Sequence, residues 1–239
     1  MSEITLIDLI RNGTINAEIA ATMWSIVAEQ RSFVIVAVPR FAGKSTVGDA
    51  MLHCVPEQTP VHRLSGEESE MEQLKSDAGG GYLVVGEFAD ADHISRYIWG
   101  APVRKVFDTM RVGYSLSTAM HAPSIADAYS DICNVNNVAD EDASKINYMV
   151  YIERMGDDVD TFWRRVAEVQ EVDRVVDGKP QGRMLYRWHE QDDTFEQAQE
   201  AQLLDVNADQ LRERARLLNE LATSGRTSLE DVRSVVLGS

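Results

Sequence analysis

Phe33-Val34-Ile35-Val36-Ala37-Val38 is an unbroken apolar run, rich in β-branched residues, that leads through Pro39-Arg40-Phe41-Ala42-Gly43 into Lys44-Ser45-Thr46. A run without polar alternation is expected of a strand buried on both faces. The turn after it, and the helix-compatible stretch from Lys44 to about Leu52, make the unit a strand, a turn and a helix. At such a junction backbone N–H groups converge at the positive end of a helix dipole, which suits phosphate. Gly43-Lys44-Ser45 matches the second half of the phosphate-binding P-loop pattern, Gly-x-x-x-x-Gly-Lys-Ser/Thr. In that arrangement Lys44 neutralises β- and γ-phosphate charge, Ser45 offers its hydroxyl to Mg²⁺, and Thr46 lies near the α-phosphate. Arg40, Phe41, Ala42 and Gly43 complete the cradle. The first half is irregular: Val38 replaces the first glycine, and Phe41 stands where a mid-loop glycine is often found.

The flanking text predicts an α/β chain. Thr5–Asn12 and Ala17–Gln30, the latter capped by Asn16, read as helices with apolar residues at helical spacing. Further strands are expected at Pro60–Leu64, Tyr82–Val85 and Ser115–Met120. Helices are expected at Glu68–Leu74, His93–Trp99, Val103–Arg111 and after Pro123. From Asn147 the pattern turns β-rich (Tyr148–Arg154, Phe162–Val172, Met184–Trp188), with Asp177-Gly178-Lys179-Pro180 as a hairpin turn. The tail is helical, with Leu211, Ala215, Leu218 and Leu221 on one face, and Thr227 with Glu230 forms a capping box for a last helix. Strands alternating with helices imply a largely parallel sheet. The expected organisation is a helical lead-in over 1–31, a core over 32–195 and a helical tail over 196–239.

Composition narrows the partners. The formal charge of −16 argues against extended binding to nucleic acid or anionic lipid. No apolar run approaches the roughly 18–20 residues that cross a bilayer, and Met1-Ser2-Glu3 does not open a signal peptide, so cytoplasmic residence is the expectation. The two cysteines, Cys54 and Cys133, form no Cys-x-x-Cys pair and are expected to be small buried hydrophobes.

Two later motifs sharpen the reading. Leu83-Val84-Val85-Gly86-Glu87 is an apolar strand ending in an acid, as a Walker B element does, and Glu87 would hold the Mg²⁺ shell or orient the attacking water. The alternative is a strand end with a solvated glutamate. Gly113-Tyr114-Ser115-Leu116-Ser117-Thr118-Ala119-Met120-His121-Ala122 follows. With Gly86-Glu87, this text resembles the traffic ATPases of type II and type IV secretion and pilus assembly. Those carry a Gly-Glu Walker B end and a "His box", roughly Gly-His-x-x-x-Ser-Thr-x-His. Leu6–Ala20 resembles the helical lead-in of the tight-adherence branch, and Tyr148–Arg154 with Arg164–Val172 resembles its β-hairpin region after the His box, where "R-x-V-x-E-V"-like text recurs and takes in Glu168 and Val169.

The resemblance implies a P-loop NTPase core with a RecA-like sheet and a β-hairpin region. It implies ATP and Mg²⁺ as ligands, Glu87 and His121 as catalytic residues, and Ser45 and Glu87 at the metal. It further implies assembly as a homo-oligomeric ring and docking on membrane-bound secretion or pilus machinery. His121 also admits a plain packing role. The family's acidic box falls on Glu67 or Glu68, which serve equally well as the charged start of a helix.

Departures bear on turnover. Tyr114 replaces the first His, Ala91–Arg104 is extra, and about thirty residues precede the P-loop strand, too few for the family's arginine-supplying N-terminal domain. Arginines stabilise developing charge in phosphoryl transfer, and Arg40, Arg104 and Arg154 are the candidates to compensate. The expectation is ATP binding with slow hydrolysis. The alternatives are a non-hydrolysing regulatory or assembly subunit and a P-loop phosphotransferase.

Overall fold

The computed structural model describes residues 3–38, 41–91, 95–156 and 162–236. The chain opens with α1 (Leu6–Arg11) and α2 (Ala17–Ala28), then β1 (Phe33–Val36) and α3 (Lys44–Leu52). There follow β2 (Val61–Arg63), α4 (Glu68–Asp77), β3 (Gly81–Val84), the short β4 (Glu87–Phe88) and β5 (Tyr97–Ile98), α5 (Ala101–Met110) and β6 (Tyr114–Met120). Then come α6 (Ile125–Ser130), a π-helical turn (Asp131–Val135) and α7 (Asp140–Ala143). Four strands, β7 (Tyr148–Met155), β8 (Trp163–Val176), β9 (Lys179–His189) and β10 (Thr194–Gln197), precede α8 (Ala208–Ser224) and α9 (Leu229–Val236).

One sheet runs β10-β9-β8-β7-β1-β6-β3-β2. It is parallel across β7, β1, β6, β3 and β2 and antiparallel from β7 to β10. This is the α/β, P-loop NTPase-like architecture that the sequence predicts, with helices at both ends. β1 explains its own composition. Successive side chains leave a strand on opposite faces; Phe33 and Ile35 enter the core beneath α1, α2, α3 and α8, while Val34 and Val36 enter the core beneath α5 and α6. With apolar layers on both sides, no polar position is tolerated.

Local chemistry accounts for most boundaries. Thr5 and Asp8 form a capping box on α1, and Asn16 accepts from the Ile19 N–H to cap α2. Asp177 and Gly178, at φ 51° and 70°, make the two-residue turn between β8 and β9, since primed turns match the twist of a hairpin. Ala215, Leu218 and Leu221 of α8 are buried as their spacing predicts. Among the described residues no helix is long and apolar enough to cross a membrane.

Some expectations are revised. In the predicted helix His93–Trp99, His93 and Ile94 lie outside the described residues, and Tyr97–Ile98 is instead β5, paired with Glu87–Phe88. The backbone groups of β4 provide the ladder, and the helix begins only at Ala101, beside Pro102. The cap of α9 is shifted by one residue: Ser228, not Thr227, accepts from the Asp231 N–H at 3.1 Å. β10 is short and half-polar, so only its pairing with β9 defines it. Cys54 is fully buried, its thiol pushed up to about 12 by desolvation, whereas Cys133 is only half-buried.

Candidate functional site

Three motif ends meet at the carboxyl edge of the parallel strands. Val36 of β1 is level with Met120 of β6, and Met120 is level with Phe88 of β4. The loop after β1, Glu87, and His121 after β6 therefore lie along one edge, where open α/β sheets place their ligands. β6 separates β1 from β3, so Lys44 and Glu87 must meet across its end. They do: Lys44 Nζ is 3.4 Å from Glu87 Oε1, and each side chain is only 12% exposed.

Gly43 caps α3 at φ 93°, in the left-handed region that favours glycine. A side chain there would also collide, because a Cβ would sit 2.9 Å from Arg164 Cδ. Ala42 is buried, Thr46 half-buried, Ser45 exposed, and Phe41 exposed at φ 62°. Arg40 lies outside the described residues. Beside the loop is a cavity of about 180 Å³ whose lining includes Lys44, Ser45, Arg63, Arg96, Ser117 and Thr118. Ser117-Thr118 of the His-box text thus faces the same space as Gly43-Lys44-Ser45.

Gly86 lines that cavity too, and its identity has a steric cause. Its N–H donates to the Arg96 carbonyl at 2.9 Å, and a Cβ at Gly86 would lie 2.8 Å from that oxygen. The position where many P-loop enzymes carry aspartate is closed here by the approach of the β5 segment. Arg96 Nε is buried with no hydrogen-bond partner among the described residues.

Other sequence candidates fall elsewhere. His121 is exposed just past β6 and is not among the cavity-lining residues. Glu67 caps α4, and Glu68 lies 4.0 Å from Lys105 of α5; neither lines the cavity. Arg104 donates to the Asn136 carbonyl at 2.9 Å. Sequence reasoning missed Arg63, Arg96 and Arg164. Arg63 is paired with Asp49 of α3 at 3.2 Å. Arg164 donates from Nε and Nη2 to the Phe41 carbonyl at 3.1 and 2.9 Å, across a sequence separation of 123. The only local signal for it was the arginine pair Arg164-Arg165 at a strand start.

Arg154 and Arg164 both approach the Phe162 ring, at 4.4 and 4.6 Å from its centroid. Desolvation, and then the neighbouring charge of Arg154, hold the Arg164 guanidinium below its ordinary range. Next to it, Arg165 grips Asp193 through Nε and Nη2, both at 2.7 Å, and Trp188 Nε1 donates to the same carboxylate at 2.9 Å. The Arg165 bonds first, and Trp188 second, hold Asp193 down at about 2, against an ordinary 3.8. A depressed acid stabilises the fold above its unfolded value and loses that contribution as pH falls through its folded value. Asp193→Asn is therefore expected to be modestly less stable than the parent in urea at pH 7. That difference should shrink between about pH 4 and pH 2; a constant difference would mean the charge is immaterial.

Chemically the edge presents a lysine, a left-handed glycine at a helix head, and hydroxyls and guanidinium groups around a small cavity; the Asp49 carboxylate, paired with Arg63, also lines it, and Glu87, which is not among the lining residues, pairs with Lys44. That donor set fits a phosphate chain, and Ser45 with Glu87 offers oxygen ligands suited to a hard cation. No family model matches the chain. It is 27% identical over 231 residues to the uncharacterized protein MJ1287 of Methanocaldococcus jannaschii, covering 82% of this chain and 80% of that one. Among solved structures it is similar to the Legionella pneumophila ATPase DotB, at a TM-score of 0.45 and 13% identity over 72% of this chain. The chain spans about half the length of DotB (52%), and at this level the likeness assigns no function.

Proposed function

We propose that this chain binds Mg-ATP at the loop 38–46 and hydrolyses it slowly, as a traffic-ATPase-like protein. The observation that carries the reading is the Lys44–Glu87 pair, 3.4 Å apart at the carboxyl edge although β6 separates their strands. A buried lysine held against a carboxylate is a cation poised for exchange onto an incoming anion. In this reading Lys44 takes phosphate charge, the Ser45 hydroxyl and Glu87 hold the metal, and Glu87 orients water. Bound Mg²⁺ would supply charge neutralisation at the transferring phosphoryl group. Arg40, Phe41, Ala42, Gly43 and Thr46 cradle the phosphates through backbone groups, and His121 acts at the same edge. Ring assembly, docking on secretion or pilus machinery, the tight-adherence relationship and cytoplasmic residence belong to the same proposal and rest on the motif text. So does the division into lead-in, core and tail.

Calorimetric titration with Mg-ATP tests it. The parent protein should bind saturably, and Lys44→Ala should bind about 100-fold more weakly, since one charge-assisted contact is lost. If neither protein binds at millimolar nucleotide, or both bind alike, the reading fails.

A further inference from the structure

Phe41 is the anomaly of the loop. It is an aromatic residue at φ 62° with 73% of its surface exposed, so its side chain gains little packing to hold it in a conformation that L-residues disfavour. The stabilising contacts come from the hairpin. Arg164 directs two guanidinium N–H groups at the Phe41 carbonyl, at 3.1 and 2.9 Å. Its Cδ rests over Gly43, 2.9 Å from where a Cβ would stand, so a side chain there would displace the arginine. Its guanidinium also lies 4.6 Å from the Phe162 ring, and Arg165 beside it is anchored on Asp193. The clamp therefore has a fixed base.

A planar trans peptide points its C=O and the next N–H in opposite directions. Holding the Phe41 carbonyl towards the hairpin therefore turns the Ala42 N–H away from it. Anion binding by such a loop depends on the direction of its N–H groups. We infer that Arg164 is a positioning residue for the phosphate loop: it fixes the Phe41–Ala42 peptide in a binding orientation and supplies the constraint that makes a mid-loop glycine unnecessary. Arg164 acts through the loop without touching the ligand. The inference rests on the nucleotide-binding reading above.

Mg-ATP binding, measured by titration for the parent, Arg164→Ala, Phe41→Gly and the double variant, separates the outcomes. Loss of two charge-assisted hydrogen bonds should weaken binding by Arg164→Ala about tenfold. Phe41 is itself part of the loop, so Phe41→Gly serves as its own reference: adding Arg164→Ala to it should change binding by less than about threefold, because glycine enters the left-handed region freely. Unchanged binding in Arg164→Ala overturns the inference. So does an equal loss in the Phe41→Gly background, which would place Arg164 on the ligand itself. If the parent binds no nucleotide, the reading above fails first, and amide hydrogen exchange of the nucleotide-free protein then decides about the clamp. Faster exchange at Ala42 and Gly43 in Arg164→Ala supports it, and unchanged exchange overturns it.

Discussion

Glu87→Gln is expected to bind metal-free ATP about tenfold more tightly than the parent protein while losing at least about 100-fold in turnover. Both effects follow from the 3.4 Å contact between Lys44 Nζ and Glu87 Oε1. A unit charge pair at such a distance is worth roughly 5 kcal/mol at an effective dielectric of about 20. Desolvation of the two ions offsets much of that. An incoming triphosphate must take Lys44 from this carboxylate and sit beside its negative charge. The neutral amide removes both penalties and keeps the shape, but it cannot act as a base or hold water in the same sense. Equilibrium binding, with and without Mg²⁺, and phosphate release are the measurements. With Glu87 on the metal, as proposed, the tighter binding is confined to metal-free ATP and Mg-ATP binds more weakly; an equal gain with and without Mg²⁺ would take Glu87 off the metal. Unaltered turnover would remove Glu87 from the catalytic role, and no turnover in the parent would favour a non-hydrolysing subunit.

Glu171→Ala should destabilise the protein by about 3–5 kcal/mol, the loss expected when one partner of a buried, hydrogen-bonded ion pair is removed. Glu171 is fully buried in β8. Tyr148 Oη donates to Oε2 at 2.7 Å, Arg183 Nη1 pairs with Oε1, and the backbone N–H groups of Gln202 and Leu203 donate at 2.9–3.0 Å. This one carboxylate ties the segment after β10 to the middle of the sheet. Its removal strands the buried Tyr148 hydroxyl and leaves the partly buried Arg183 guanidinium and the Gln202 and Leu203 N–H groups without this acceptor, and an unpaired buried donor costs more than an ordinary hydrogen bond yields. Burial, followed by the Glu171 bond, already pushes the Tyr148 phenol upward, so it stays a donor throughout the working pH range. Urea denaturation gives the global figure, which is a large share of a typical domain stability of about 5–15 kcal/mol. Hydrogen exchange at Gln202 and Leu203 gives the local one. A loss below about 1 kcal/mol would show that apolar packing of α8 docks the tail without Glu171.

The comparison of sequence with structure divides by range. Most of the helices, the cap at Asn16, the two-faced β1 and the Asp177-Gly178 turn were legible because their causes lie within a few residues. The P-loop text and the Gly86-Glu87 strand end were legible for the same reason. The β5 strand was not: its residues suit a helix locally, and only the neighbouring edge of β4 makes them a strand. Nor does local text carry the reason for Gly86, which is the Arg96 carbonyl packed against it.

By itself, then, the sequence determined the α/β class, the strand-turn-helix unit from Phe33 to Leu52 and the residue types at its turn, since propensity, period and turn chemistry act over short spans. Only the tertiary structure decided that Lys44 faces Glu87, that Ser117 and Thr118 share a cavity with Lys44, that neither Glu87 nor His121 lines it, and that Arg164 holds Phe41. Those meetings depend on the strand order β3-β6-β1-β7-β8. Strand order is set by the sum of many weak burial terms across the whole sheet, and no local run of residues encodes that sum.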